Sequence, residues 1–308
     1  MKKSLIIPSY LQIETFRGCN AKCSICPLNY AKDKLETKKG RMSEENFRRI
    51  INKFLPYVSQ IEYVSLWNLG EPLLDKGLPA KIKYLKKHNF KNIAIATNAD
   101  LLDEKKQIDL LRSGIDTIIC SVDGINKETH ESIRINTNFD RVVKNIQSCI
   151  EKRDKGNYKT RFLLRMIRQE SNYQQWPEYV KYWEQYINRA KRDDVIAFDV
   201  HTWGSTRLKE KEGINYNIPC SCLNEKMIIC FDGEMARCDG EIPWKKREKI
   251  GNAFTEDPIA IFNNEIFNFY REAHRKGLRG HLYFCRNCDI PDQRKRKVVS
   301  TNKDKIRN

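Results

Sequence analysis

The sequence contains no apolar run that approaches the roughly 18 to 20 residues needed to span a bilayer, which removes a helical membrane anchor. It carries no export signal either. Lys2 and Lys3 open the N-terminus in the manner of one, but Pro8 interrupts the apolar run and polar residues follow at once. Histidine is scarce: five in 308 residues, and none between Cys26 and His88 that could complete a metal site begun by the early cysteines. Acidic residues are outnumbered 40 to 57 by lysine and arginine, for a net charge of +17. The 11 cysteines are odd in number, clustered and unaccompanied by an export signal. That argues against a disulfide framework and for metal or redox chemistry in a reducing, cytoplasmic setting.

What is present is enough for a core. Hydrophobic residues make up 40% of the chain, with 13 Phe, 13 Tyr and 5 Trp, and the length suits one large domain or a domain of about 200 residues plus a smaller module. The basic excess is spread over the body. The segment 292–308 holds seven Lys/Arg against two Asp, so most of the +17 lies before it. Such a field attracts acidic partners: an electron carrier such as flavodoxin or ferredoxin, an anionic or carbohydrate small-molecule substrate, or nucleic acid. The last is disfavoured because the basic tail lacks the aromatic residues that single-strand binders interleave with charge. The tail reads as a frayed, disordered terminus.

Apolar runs alternate with amphipathic stretches. Strands are predicted at 11–15, 61–67, 92–97, 115–122, 161–167 and 195–200, and helices near 43–54, 78–88, 104–113, 139–152 and 173–190. Ser43 is placed to cap the first helix, whose Phe47, Ile50, Ile51 and Phe54 share one face. Six strand–helix alternations imply an α/β fold with a parallel sheet and are too few for a complete eight-stranded barrel. A partial barrel and a doubly wound sheet both fit the pattern. After Gly204 the texture changes: a polar linker at 205–216, a hairpin turning at Asp232-Gly233, a helix near 259–276, and a closing Cys285-Arg286-Asn287-Cys288.

Cys19, Cys23 and Cys26 follow the first strand at spacings of four and three positions. Thiolates are the ligands that hold iron–sulfur clusters. Three of them can hold three irons of a cubane and leave one corner open, as a catalytic metal requires. Structural zinc would ask for a fourth Cys or His nearby, and none is present.

This CxxxCxxC resembles the hallmark of the radical S-adenosylmethionine (SAM) superfamily. Gly70-Glu71-Pro72 resembles its GGEP motif, with Leu69 in place of the first Gly, and Thr97-Asn98-Ala99 resembles TNG. Ser121-Val122-Asp123-Gly124, with His130 and Arg134, is similar to the SxDG…H…R pattern of maturases and dehydrogenases within it. The resemblance implies a partial (β/α)6 TIM-like barrel over 1–212 and a [4Fe–4S] cluster on Cys19, Cys23 and Cys26 whose open iron binds SAM. It also implies cofactor contacts from Gly70, Glu71, Pro72, Asn98, Ser121, Asp123 and Arg134.

Cys220, Gly233, Cys238 and the Cys285/Cys288 pair resemble the SPASM-type auxiliary domain in its shortened "twitch" form, as in aminocyclitol dehydrogenases. That implies a second [4Fe–4S] cluster on Cys220, Cys238, Cys285 and Cys288 in a module spanning 213–292, with 293–308 as the tail. A metal staple suits so small a module; zinc is the alternative metal, and Cys222 the alternative to Cys220. The resemblance favours oxidation of a sugar or cyclitol alcohol, with the auxiliary cluster taking an electron. Peptide maturation and epimerisation use related architectures, the former disfavoured by the short stretch before Cys19. His201, after the sixth strand, is a candidate base; Cys222 and Cys230 are candidate hydrogen donors. Cys120 and Cys149, inside apolar stretches, read as packing residues.

Overall fold

The computed structural model describes residues 5–30, 38–203, 214–241, 248–291 and 299–300. Six strands run parallel in chain order: β1 (Tyr10–Ile13), β2 (Tyr63–Ser65), β3 (Ile93–Thr97), β4 (Thr117–Ser121), β5 (Arg161–Arg168) and β6 (Asp194–Asp199). Between them lie α1 (Glu44–Phe54), α2 (Leu78–Lys87), α3 (Glu104–Ser113), α4 (Lys127–Ile133), α5 (Phe139–Lys155) and α6 (Trp176–Trp183). The order never reverses, so there is no switch point of a doubly wound sheet. β1 and β6 do not pair. The result is a (β/α)6 partial barrel, which decides between the two arrangements the pattern allowed.

The strand residues sort by face. Leu11, Ile13, Val64, Ile95, Ile118, Phe162, Leu164, Met166, Val195 and Ala197 pack into one core with the helices. α1 shows how the sequence specifies this: Ser43 Oγ accepts from Asn46 N at 3.1 Å, and Phe47, Ile50, Ile51 and Phe54 are all buried. Each such side chain contributes on the order of 1.5–3 kcal/mol by leaving water. On β5 the alternate residues Arg161, Leu163, Arg165 and Ile167 are only half-buried in mid-sheet. The concave face of the sheet is therefore open, and polar side chains occupy it.

The hairpin β7 (Lys226–Ile229) and β8 (Met235–Ala236) extends the same sheet, β7 pairing parallel with β1 so that Ile13 faces Ile229. Its turn places Gly233 at φ 84°, a conformation that glycine adopts without penalty. Behind it lie α7 (Pro258–Phe262) and α8 (Glu265–Arg275).

Several boundaries differ from the sequence expectation. One helix predicted at 259–276 is two, because Asn264 caps the second by accepting from Phe267 N at 3.0 Å while Asn263 bonds both N and O of Ile6. The helix predicted over 173–190 is confined to α6, started by Pro177; beyond it, Asn188 and Asp193 hold the backbone through their own side chains. α4 was not anticipated. The expected linker falls mostly outside the described residues. So does the tail, except that Val299–Ser300 pairs antiparallel with β6, so these two residues are not frayed.

Candidate active site

The cysteine loop leaves β1 through a close backbone crossing. Gly18 and Gly70 form a parallel bridge, and Glu71 N donates to Gly18 O at 2.9 Å. A Cβ on Gly70 would lie 2.5 Å from Phe16 O and 2.9 Å from Gly18 O, so only glycine fits. On its other side the loop is tied to the end of α4: Lys22 N donates to Ile135 O (2.7 Å) and Ser24 N to Ile133 O (2.9 Å). Cys23 and Ile25 pack with Ile133.

The motif residues converge here. Cys19 Sγ accepts from Ala21 N at 3.4 Å and from Asn98 Nδ2 at 3.7 Å; Arg134 Nη1 reaches Cys23 Sγ at 3.9 Å. Buried Glu71 organises the GEP and TNA segments together, accepting from Leu73 N (3.1 Å), Thr97 Oγ1 (2.7 Å) and Asn98 N (2.9 Å). Pro72 opens the short 3-10 turn that follows. Ala99, at the motif's usual glycine, takes φ 59°. Asp123 accepts from Ile167 N at 2.8 Å and ion-pairs with Arg134 at 2.8 Å.

Ser121 Oγ accepts from Arg165 Nη2 at 2.7 Å. Arg165 forms no ion pair among the described residues, and its Nε, like that of Arg134, is buried without a hydrogen-bond partner. Burial, reinforced by neighbouring Arg134, lowers Arg165 to about 10. A half-buried guanidinium short of counter-charge is receptive to an anionic group. From sequence Arg165 is one of several polar residues near the ends of the last strands; its register opposite Ser121 on the concave face is the feature that marks it.

The buried thiols hold their protons tightly. Burial pushes Cys19 up to about 12, with Glu71 adding to it, and Cys26 up to about 12, with Cys23 adding to it; Cys23 is raised too, against the pull of Arg134. Protons on such thiols give way to a bound metal cation.

The second cysteine group also comes together. Cys220, Cys222, Cys238, Cys285 and Cys288 line one cavity. Burial and neighbouring thiols push Cys285 up to about 12. Cys222 lies within electrostatic reach of Cys238 and Cys288. Cys220 N instead donates to His274 Nδ1 at 3.1 Å. Among the described residues no three His, Cys, Asp or Glu side chains converge on one ion. A cubane gives each thiolate its own iron, so its ligands need only surround a volume; the later cysteines line such a cavity, and Cys19, Cys23 and Cys26 lie within electrostatic reach of one another.

His201 follows Val200, which packs with the first cysteine loop, and precedes Thr202, whose N donates to Asp289 beside Cys288 at 3.0 Å. His201 is half-buried, its Nδ1 accepting from Trp203 N at 3.1 Å and its ring 4.4 Å from that indole. Cys230 is buried at the hairpin turn beside Arg17, away from the five-cysteine cavity. Cys120 and Cys149 are fully buried in the core.

His130 accepts from Asp123 N at 3.3 Å and lies 3.2 Å from Thr137 Oγ1. Burial, with Arg134 adding to it, holds it down to about 3. Between that value and the ordinary 6.5 the unfolded chain binds the extra proton, so stability falls as pH falls through this window, by about 1.4 kcal/mol per pH unit. Urea titrations from pH 6 to 4 should give a shallower decline for His130→Gln than for the wild type; parallel declines would refute the buried neutral imidazole.

The sequence profile of the Radical SAM superfamily matches residues 13–168. A probable GTP 3',8-cyclase of Methanococcus maripaludis is 32% identical over 146 residues, which are 46% of each chain. The Fe-coproporphyrin III synthase of Methanosarcina barkeri is 29% identical over 136 residues, 44% of this chain and 32% of that one. The chain thus spans about half the length, or less, of the curated relatives it matches. Among solved structures, BtrN in complex with AdoMet and 2-DOIA superposes with a TM-score of 0.64 at 17% identity, covering 96% of this chain and all of that one. AdoMet-bound anSMEcpe gives 0.66 at 18% identity, with 91% and 89% covered. These likenesses concern the fold.

Proposed function

We propose, on the premise that this chain belongs to the radical SAM superfamily, that it oxidises a hydroxyl-bearing small molecule held on the concave face between two iron–sulfur clusters. The feature that carries this reading is the five-cysteine cavity beside that face. When bound, a cluster on Cys19, Cys23 and Cys26 together with SAM supplies the radical that removes a hydrogen atom from carbon, and a cluster on Cys238, Cys285, Cys288 and Cys220 or Cys222 accepts the remaining electron.

The chain's own residues bind and orient. The backbone around Gly70 and Glu71, the side chain of Asn98, and the Ser121–Arg165 pair are brought by four successive strands, β2 to β5. Arg165, with its unsatisfied Nε, suits the SAM carboxylate, while Arg134 is committed to Asp123. Lower on the concave face, Tyr10 donates to Ser65 (3.0 Å), and Gln12 donates to Asn68 (3.0 Å) and Asp239 (2.8 Å). This hydrogen-bonding wall suits a polyhydroxylated substrate. With both groups bound, the balance of such an oxidation would leave the hydroxyl proton for a base of the chain or solvent to take. His201 Nδ1 is engaged with its own turn, and Asp239 with Lys226 and Gln12. The basic body suits an acidic electron donor. No helix among the described residues is long and apolar enough to cross a membrane.

Anaerobic reconstitution should give about eight irons and eight sulfides per chain, two cubanes, and dithionite with SAM should yield 5'-deoxyadenosine. About four irons, or tightly bound zinc, would overturn the two-cluster reading.

A further inference from the structure

Between the hydrogen-bonding wall and the five-cysteine cavity lies an ion pair with no assigned task. Lys226, the first residue of β7, is buried; its Nζ is 2.7 and 2.9 Å from the two oxygens of Asp239. The ammonium lies 4.7 Å from the ring centroid of Tyr10, its register partner on β1. Asp239 directly follows Cys238, and Lys226 acts electrostatically on Cys222. The pair therefore touches the concave face through Tyr10 and Gln12 and the auxiliary cavity through its neighbours in sequence and space. A buried ion pair is a poor stabiliser on its own account, since desolvation offsets attraction.

We propose that Lys226 is a positioning residue that favours the electron-loaded state of the auxiliary centre, with Asp239 as its counterweight. Arrival of one electron lowers the charge of the cluster by one; no bond is made or broken, and the reductant is the substrate radical. A fixed, water-shielded ammonium beside the ligating thiolates stabilises that added charge, because the interaction is weakly screened there. Asp239 opposes it and keeps the free charge small until the electron arrives. The cations that line the cavity itself are Arg279, whose Nη1 donates to Cys288 O at 3.0 Å, and Arg237, which is paired with Glu241 and Glu248; Lys226 lies behind that lining and acts on it through Asp239 and Cys222. Lys226 is the cation of this group that also touches the concave face, over Tyr10. This inference rests on the two-cluster reading above.

The test is a redox titration followed by electron paramagnetic resonance, on the full chain carrying Cys19→Ala, Cys23→Ala and Cys26→Ala so that only the auxiliary cluster contributes. In that background Lys226→Met should lower the reduced-to-oxidised ratio at fixed potential at least tenfold, about 59 mV for a one-electron couple. Asp239→Asn should shift the ratio the opposite way, and Lys226→Arg should leave it within threefold. An unmoved ratio in Lys226→Met, or shifts of the same sign in the Met and Asn variants, overturns the proposal. If Lys226→Met does not fold, the sign of the Asp239→Asn shift decides. Absence of about four irons in the parent variant would instead overturn the two-cluster reading itself.

Discussion

Cys23→Ala is expected to reduce 5'-deoxyadenosine formation to background, a loss of more than about three orders of magnitude, because the radical comes from the cofactors and no protein group substitutes for them. The iron content should fall from about eight to about four per chain, the auxiliary cubane remaining. The fold should survive. Cys23 sits on a loop held by backbone bonds to the α4 end and by the Gly18–Gly70 bridge, none of which uses its sulfur. Cys149→Ala is the matched control: it empties a core position and costs about 1–2 kcal/mol of stability, with iron and SAM cleavage unchanged. Retention of SAM cleavage by Cys23→Ala, or loss of iron from Cys149→Ala, would contradict this assignment. Iron analysis and chromatography of the nucleoside suffice to decide.

The largest stability effect is expected at a residue that belongs to no motif. Glu14 is fully buried and holds three segments at once. Its carboxylate accepts from Arg17 Nη2 at 2.7 Å, from Leu69 N at 3.1 Å and from Phe231 N at 3.2 Å. It thereby ties the cysteine loop, the GEP segment and the auxiliary hairpin to the end of β1. Burial raises its pKa while Arg17 pulls it down. Glu14→Ala leaves the Arg17 charge, which is 2% exposed, without its partner, and breaking a buried pair in this way costs about 3–5 kcal/mol. Two backbone donors lose their acceptor as well. Glu14→Gln keeps part of the hydrogen bonding and should cost less. Urea unfolding of the three proteins would measure both; a loss below 1 kcal/mol for the alanine variant would show that the hub is dispensable.

The contrast between Cys23 and Glu14 indicates what a sequence can disclose. Cys19, Cys23 and Cys26 are legible because one short segment carries the whole ligand set, and Gly70 because it stands in a motif of adjacent residues. Glu14, Arg17, Arg165 and the Lys226–Asp239 pair are not. Each looks like an ordinary charge in its strand and acquires a role only from partners brought by the sheet register. The departures from the family motifs became interpretable in the same way. Leu69 is buried and offers Glu14 its backbone N–H, so the missing glycine is a packing position here, and Ala99 carries the left-handed turn without glycine. The six strands were found from apolar runs, whereas the split between α7 and α8 depended on Asn263 and Asn264, whose side chains bond to specific backbone atoms no periodicity reveals.

The pairing of β7 with β1 also governs the order in which this chain can assemble. The Phe231–Glu14 bond joins residues 217 positions apart, whereas β1 to β6 pair with one another as successive strands. During synthesis the barrel can form from local pairings while the outer edge of β1 still waits for its partner. Until then Leu11 and Ile13 flank a bare strand edge, a template for unwanted pairing between chains. Closure of so long a loop is slow by its topology. Truncation or slow translation just before the hairpin should therefore favour aggregation over a stable half-protein, and refolding yields should depend on protein concentration most strongly before β7 docks.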